Sequence, residues 1–311
     1  MSDVERLKER FFKYVQIHSQ SKDGVEDRFP STPEQLEFAK ILRDDLERMG
    51  LEDVSLDEHG YVTATLPATK GAEDKPVIGF LAHYDTYHGV SGKDVKPVVH
   101  EYDGGSITFP DDPDLVLDPE ESPELRNFVG EQIITASGKT LLSADDKAGL
   151  CEILEAVAWM MENPDHPHPK IRLGFTPDEE VGNGTAYFDV ERFGAHCAYT
   201  IDGTVMGEVE NETFSADGAT IKIAGHDVHP GYAKNKMQNA VRIASRFIET
   251  IPQGLSPERS EEREGFLHPL SVEDNTSEAK ISYIGRDFTV EGLERLEAYL
   301  KLVAEGLERE F

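Results

Sequence analysis

Acidic residues, in one case beside a histidine, stand directly after four apolar segments of the chain. These residues are His83 with Asp85, Asp145 with Asp146, Asp178 with Glu179 and Glu180, and Asp202. The carboxyl ends of the strands in an α/β sheet lie along one edge, where such sheets bind ligands, so we expect these side chains to converge. One imidazole with several carboxylates is a donor set that suits Zn²⁺, Mn²⁺ or Co²⁺. The pattern therefore favours a metal-dependent hydrolase.

A simpler interpretation stays open at this point, because acidic residues are abundant in the chain. They number 61 among 311 residues, so adjacent acidic pairs arise often by chance and only their position after apolar segments is informative. Aspartates also commonly cap helices and fill turns at strand ends. The sequence has no Gly-x-Ser-x-Gly motif and no Gly-x-x-x-x-Gly-Lys motif. Their absence argues against a serine hydrolase and against a phosphate-binding loop.

The elements that must position these residues alternate between apolar strands and amphipathic helices, which is typical of an α/β sheet domain. The clearest helix runs from Thr32 to Met49, with Gln35 completing a capping box and Gly50 ending the helix. We also predict a helix from Asp146 to Met161 and strands over residues 77–82, 171–175 and 197–201.

The character of the chain changes near residue 206. We predict a metal-binding catalytic domain in residues 1–206, with a mixed, mostly parallel sheet flanked by helices, and a smaller α+β domain in residues 207–311. Period-two alternation predicts strands in this second part, and 3.6-residue periodicity predicts helices. The strands fall over residues 208–210, 219–223 and 279–284, and the helices over residues 237–251 and 293–307.

Longer motifs, which occur in a fixed order along nearly the whole chain, resemble those of a known enzyme family. They are Ala82-His83-Tyr84-Asp85-Thr86, Tyr102-Asp103-Gly104-Gly105, the segment Gly138 to Gly149, Thr176 to Gly182, Tyr199 to Gly203, His229-Pro230-Gly231 and Arg286-Asp287-Phe288. The chain resembles the dinuclear zinc metallopeptidases, which include the glutamate carboxypeptidases and the acetylornithine deacetylases. Within that family it is most similar to the aminopeptidases that release the N-terminal residue of tripeptides.

The resemblance implies a role for each residue of the strand-end clusters. His83, Asp145 and Asp202 would ligate one zinc ion, and Asp145 would bridge to a second ion held by Glu180. Asp85 would fix the tautomer of His83. Glu179 would be the general base that takes a proton from a metal-bound water and passes it to the leaving amine.

The same resemblance makes the second part a lid and dimerisation domain, and hence the protein a homodimer that acts on small peptides. His229 would stabilise the oxyanion and Arg286 would bind a carboxylate of the substrate. Two structural alternatives remain for these residues. His229 could be a turn residue before Pro230, and Arg286 could form a surface ion pair with Asp287.

One departure from the family pattern concerns the end of the sequence at Phe311. Members of the family return from the lid to the first domain and supply a late histidine to the second metal site, so we expect that site to lack this ligand here and the lid to lack a closing strand. A truncated peptidase, a peptidase completed by a separate chain, a non-catalytic remnant that binds one metal or a partner, and a related carboxypeptidase or deacylase all stay open.

Composition limits the partners and the location. With 31 lysines and arginines against 61 acids the formal net charge is −30, which argues against binding to nucleic acid or to an anionic membrane. No apolar segment has the length of a membrane span, and no signal region is present, so we expect a cytoplasmic protein. Cys151 and Cys197 both lie in apolar contexts and are expected to be reduced and buried.

Overall fold

A computed structural model describes residues 2–311, and the chain forms two compact units, of which the first ends at Glu208 and the second is Val209–Phe311. The first unit contains four helices and nine strands. They are α1 (Asp3–Val15), α2 (Pro33–Met49), β1 (Glu52–Leu56), β2 (Val62–Leu66), β3 (Ile78–His83), β4 (Val98–Glu101), β5 (Ile107–Phe109), β6 (Asp112–Leu117), β7 (Gln132–Thr135), α3 (Lys147–Glu162), β8 (Ile171–Thr176), α4 (Val190–Phe193) and β9 (Cys197–Thr200).

A five-stranded sheet in the order β1-β2-β8-β3-β9 is the framework of the first unit. Strand β3 is parallel to both β8 and β9, while β2 is antiparallel to its neighbours β1 and β8 and alone runs against the others. The register pairs His83 with Thr176 and Leu81 with Thr200, so β3, β8 and β9 end at the same edge. The mixed, mostly parallel α/β fold that the sequence predicts is confirmed.

The main core of this unit lies where α1, α2 and α3 pack on the sheet. Its fully buried side chains include Tyr14, Phe38, Leu42, Leu150 and Phe175. Each of these large apolar side chains stabilises the fold by about 1.5–3 kcal/mol relative to its exposed state. The core therefore fixes the three helices on the sheet.

Helix α2 begins and ends where the sequence predicts, with Thr32 as the N-cap residue, but the hydrogen bonds at its start differ from those expected. Gly50 adopts the left-handed conformation with φ 85°, which glycine tolerates without steric cost, and its N–H closes the last turn. At the other end the expected capping box does not form, because the Thr32 side chain makes no capping hydrogen bond. The amide of Gln35 instead donates to Asp178, which is 143 residues away in the sequence. The same amide also donates to the Thr32 hydroxyl at 3.2 Å, so Gln35 combines a long-range contact with a local one.

The second unit is a three-stranded antiparallel sheet, in the order β10-β12-β11, with two helices. Its elements are β10 (Ser215–Ala224), α5 (Ala240–Thr250), β11 (Phe266–Asp274), β12 (Glu278–Asp287) and α6 (Val290–Glu310). The helices cover a core that includes Phe247, Leu267 and Ile281. Two details of the sequence prediction were wrong: residues 208–210 form no strand, and the strand β11 was not foreseen.

The two cysteines differ in environment, and this corrects another expectation. Both are free, but Cys151 is buried while Cys197 is exposed on β9. Burial raises the pKa of the Cys151 thiol to about 12.

None of the helices in the described part of the chain combines the length and apolar character that crossing a membrane requires.

Candidate metal centre and active site

The carboxyl edge of the central sheet brings together the histidine and two of the acids identified in the sequence. His83 is the last residue of β3, Asp202 follows β9 by two residues, and Asp145 lies just before α3. One ligand atom from each of the three lies within 4.8 Å of the other two. We call these three residues the strand-end group.

His83 is the buried centre of the strand-end group. Its side chain is 2% exposed, and its Nε2 lies 2.9 Å from Asp145 Oδ1 and 3.8 Å from Asp202 Oδ2. The other ring nitrogen, Nδ1, lies 3.3 Å from Asp85 Oδ1 and 3.1 Å from the Asp85 carbonyl oxygen. A proton on Nδ1 is therefore well satisfied by Asp85, and Nε2 is the ring nitrogen that faces Asp145 and Asp202.

The charges of the site alter the acidity of its members. Burial by itself lowers the pKa of His83, but the hydrogen bonds to Asp145 and Asp85 outweigh it and raise that pKa to about 11. Burial raises the pKa of Asp202 to about 6 against the lowering effect of His83, and burial followed by repulsion from Asp145 raises the pKa of Glu180 to about 7. Several acids thus share His83 as their basic partner, since within residues 2–311 no lysine or arginine pairs with Asp145, Glu179 or Asp202.

Asp146 is not among the grouped ligand atoms and instead bonds to backbone N–H groups. It caps the first turn of α3 by accepting from Gly149 N at 3.1 Å, and it also accepts from His83 N at 3.3 Å. Burial raises its pKa to about 8. The peptide bond between Asp145 and Asp146 is cis. Of the two adjacent acids, Asp145 thus belongs to the site while Asp146 is a structural cap.

Glu179 and Glu180 sit in a short turn after β8 that Asp85 holds in place. Asp85 is fully buried, and its two oxygens accept from Glu179 N at 3.0 Å and from Glu180 N at 3.2 Å. Glu179 Oε2 lies 3.8 Å from His83 Nε2, and about half of its side chain is exposed. Asp85 thus contacts both the imidazole and the turn, so it fixes their relative position.

Two residues near the site were not singled out by the sequence. Asp178 was recognised only as part of an acidic cluster, yet its carboxylate is 1% exposed and bonds to Ser31 and Gln35. Lys147 is fully buried, where its Nζ donates to the Ile17 carbonyl oxygen at 2.6 Å, and burial lowers its pKa to about 7. No local pattern reports such contacts, because their partners lie more than a hundred residues away.

The second unit holds the other two candidates, His229 and Arg286. His229 precedes a short turn, and its Nδ1 accepts from Gly231 N at 3.1 Å, which places the proton of the neutral ring on Nε2. Arg286 lies on β12 with its guanidinium 4.6 Å from the centre of the Phe214 ring, and its buried Nε has no hydrogen-bond partner. Within residues 2–311 it forms no ion pair with Asp287, whose carboxylate instead accepts from Thr289.

Comparison with known proteins identifies the family. Peptidase T of Bacillus cereus (strain Q1) is 46% identical over 312 aligned positions, which span 100% of this chain and 75% of that protein. The chain belongs to the peptidase T family. The crystal structure of aminopeptidase PepT from Bacillus cereus ATCC 10987 is similar at a TM-score of 0.70 and 26% identity, covering 100% of this chain and 73% of that one.

Two further similarities agree with membership of the peptidase T family. The family model described as a peptidase dimerisation domain matches residues 211–309, which is nearly all of the second unit. A dinuclear metal-binding peptidase of the M20 family from Bacillus subtilis shares the fold, with a TM-score of 0.58 at 16% identity over 99% of this chain and 71% of that one. The chain is a metal-dependent peptidase by family.

Proposed function

We propose that this protein is a metal-dependent aminopeptidase that releases the N-terminal residue of tripeptides. The observation that carries the proposal is the 46% identity to a peptidase T along the whole chain. The geometry adds support, since His83, Asp145 and Asp202 converge at one edge of the central sheet with one ligand atom each within 4.8 Å of the other two. Such a donor set fits a metal cation.

The donor set fits zinc. His83, Asp145 and Asp202 would hold one ion, and Asp145 with Glu180 would contribute to a second. One imidazole nitrogen and several carboxylate oxygens are ligands that zinc accepts. The metal, when bound, supplies Lewis acidity that lowers the pKa of a coordinated water and polarises the peptide carbonyl.

Glu179 is proposed as the general base. Its carboxylate lies beside the strand-end group at 3.8 Å from His83 and is half exposed, so it can reach a substrate and exchange a proton with it. Asp85 keeps the Glu179 backbone fixed and holds the proton of His83 on Nδ1. Glu179 then accepts a proton from the attacking water and donates it to the amine that leaves.

The second unit is proposed to bind substrate and to form the homodimer. His229, with its proton on Nε2, can donate to the developing oxyanion. Arg286 has an unpartnered Nε and no competing ion pair, so it can bind the terminal carboxylate of a peptide. The match to a peptidase dimerisation domain supports association of two copies. We also propose a cytoplasmic location, which two free cysteines support.

The test is hydrolysis of defined peptides by the purified chain after zinc or cobalt is added. We expect cleavage of tripeptides with a free amino group and none of the same peptides after N-acetylation. Preferred cleavage of the N-acylated peptides would instead indicate a deacylase or carboxypeptidase. Failure to bind zinc, measured by elemental analysis after dialysis, would contradict the proposal for the metal.

A further inference from the structure

The turn that carries Glu179 and Glu180 is held from two sides by two buried carboxylates. Asp85 binds the backbone N–H groups of both glutamates from the side of β3. On the opposite side Asp178, which directly precedes the turn, anchors it to the start of α2. Asp178 is 1% exposed and adopts the left-handed conformation with φ 53°.

The side-chain oxygens of Asp178 accept several hydrogen bonds. Its Oδ2 accepts from Ser31 N at 2.6 Å, and its Oδ1 accepts from the Ser31 hydroxyl and from Gln35 Nε2, the latter at 2.6 Å. The Asp178 N–H in turn donates to Gln35 Oε1 at 3.0 Å. Gln35 is fully buried. The two residues therefore form a reciprocal pair in which each donor faces an acceptor.

No cation contacts this carboxylate within residues 2–311, since Asp178 forms no ion pair with a lysine, arginine or histidine. Burying an ionised group without a counter-charge costs several kcal/mol unless hydrogen bonds compensate. A neutral amide would fill the same volume at a lower cost of desolvation. The NH2 group of such an amide would, however, face one of the donors around Asp178, so a carboxylate that only accepts hydrogen bonds matches these partners and fixes the direction of the turn.

We propose that Asp178 is a positioning residue for the peptidase reaction, which acts by locking the Glu179–Glu180 turn to Gln35 and Ser31 at the start of α2. The proposal rests on the function proposed above, in which Glu179 moves the proton and Glu180 binds metal. Asp85 bonds to the N–H groups of the turn and Asp178 bonds to α2 and the residue Ser31 before it, so the two carboxylates tie the turn to two different elements. Helix α2 is itself packed on the core through Phe38 and Leu42, so the anchor is rigid.

A set of three variants tests the donor and acceptor match. In D178N an NH2 group replaces one of the two carboxylate oxygens. It then faces either the backbone N–H of Ser31 or the side-chain NH2 of Gln35, so two hydrogen-bond donors face each other. In Q35E a second carboxylate faces Asp178. In the double variant Q35E/D178N the new amide at position 178 can donate to the new carboxylate at position 35, and that carboxylate still accepts from the backbone N–H of position 178. The double variant therefore pairs each donor with an acceptor again, and the negative charge moves from position 178 to position 35.

We expect each single variant to lower kcat about 100-fold with little change in KM, because a misplacement of about 1 Å costs a factor of this size. The double variant should recover about tenfold or more of the loss. Asparagine adopts the left-handed conformation as readily as aspartate, so D178N leaves the backbone preference unchanged. A kcat for D178N within about twofold of the wild type, or a double variant no better than D178N, would overturn the proposal.

A matched control separates positioning from general destabilisation. Asp45 is also a buried carboxylate on α2, at 6% exposed, but it contacts Tyr14 rather than the turn. We expect D45N to lower the melting temperature and to leave kcat unchanged when it is measured well below that temperature. If D45N and D178N reduce kcat equally, Asp178 has no role beyond stability.

Hydrogen exchange gives a readout that does not need an active enzyme. We expect the segment 177–184 to exchange faster in D178N and to be protected again in the double variant. A turn released from α2 should open more often the hydrogen bonds that Glu179 N and Glu180 N donate to Asp85 and that Asn183 N donates to the carbonyl oxygen of residue 178. If the wild type cleaves no peptide, the proposed function fails, and exchange alone then decides whether Asp178 locks the turn. Unchanged exchange in D178N would refute the lock even in an active enzyme.

Discussion

Two groups of acids in the first unit have opposite surroundings, since Asp45 is buried whereas Asp145 and Asp202 are exposed. The Asp45 group consists of Asp45 with Tyr14, Lys13 and Arg48. The Tyr14 hydroxyl donates to Asp45 Oδ2 at 2.7 Å. Arg48 lies 2.7 Å from Asp45 Oδ1, and Lys13 forms a second ion pair with Asp45. The strand-end group places Asp145 and Asp202 around a single imidazole and has no lysine or arginine.

The difference shows what each group is built to do. Two like charges about 4 Å apart repel by about 4 kcal/mol at the effective dielectric constant of a protein surface, and opposite charges attract by a similar amount. The Asp45 group compensates its charge within the protein and so contributes to the free energy of unfolding. The strand-end group leaves that compensation to a ligand and so contributes to binding.

The largest expected effect comes from Glu179, which lies 3.8 Å from His83 Nε2 and is proposed as the general base. E179Q should lower kcat by about 10³-fold, because a carboxamide cannot accept the proton, while the affinity for zinc stays close to that of the wild type. Steady-state kinetics and isothermal titration measure the two quantities separately. A fall in zinc affinity equal to that of a ligand variant would reassign Glu179 as a ligand.

Removal of the buried imidazole should act on metal binding itself. We expect H83A to lower the affinity for zinc by at least about 100-fold, since it deletes a ligand and not merely a group behind one. Excess zinc should raise the melting temperature of the wild type and not that of H83A, because only bound metal stabilises the folded state. Equal zinc-induced shifts in both proteins would place the metal elsewhere.

Neutralising the Asp45 group should affect stability alone. D45N keeps an acceptor for the Tyr14 hydroxyl but weakens its contacts to Lys13 and Arg48, so the free energy of unfolding should fall by about 1–2 kcal/mol. Denaturant titration measures the change, and zinc affinity should not alter. The comparison between the two groups breaks down if D45N binds zinc less tightly than the wild type.

The smallest expected effect comes from an exposed ion pair on α2, the helix that also carries Asp45. Lys40 lies 2.6 Å from Glu37, and both side chains are more than half exposed. Screening by water leaves such pairs worth under about 1 kcal/mol, so K40A should change the free energy of unfolding by less than about 0.5 kcal/mol. A loss as large as that of D45N would show that burial does not distinguish the two contacts.

The sequence predicted the parts of the fold that local pattern controls. The end of α2 at Gly50, the strand before His83 and the helix after Asp146 depend on a left-handed glycine, an unbroken apolar run and a capping aspartate. The start of α2 at Thr32 and Pro33 was also predicted, but the capping box was wrong, because Gln35 bonds to Asp178 across 143 positions and contacts Thr32 only through its hydroxyl. Spacing along the chain carries no information about such a partner.

Other elements escaped prediction because the environment of a strand is a tertiary property. Strand β11 contains Pro269 and ends in exposed acids, so it shows no clear alternation, and it is defined by its ten-residue neighbour β12. Cys197 lies in an apolar segment, yet β9 is the outermost strand beside β3 and leaves the thiol exposed. The convergence of His83, Asp145 and Asp202 was foreseen, since it follows from where parallel strands end.

The parallel register of β8, β3 and β9 has a consequence for how this chain can vary. A residue inserted within β9 would advance Asp202 by about 3.3 Å and turn its side chain to the opposite face of the sheet. The same insertion in the connections between strands would be absorbed at the surface, because lengthening a loop costs little entropy. Relatives and engineered variants can therefore differ in their loops, whereas the lengths of these three strands must be kept because they set the positions of the site residues.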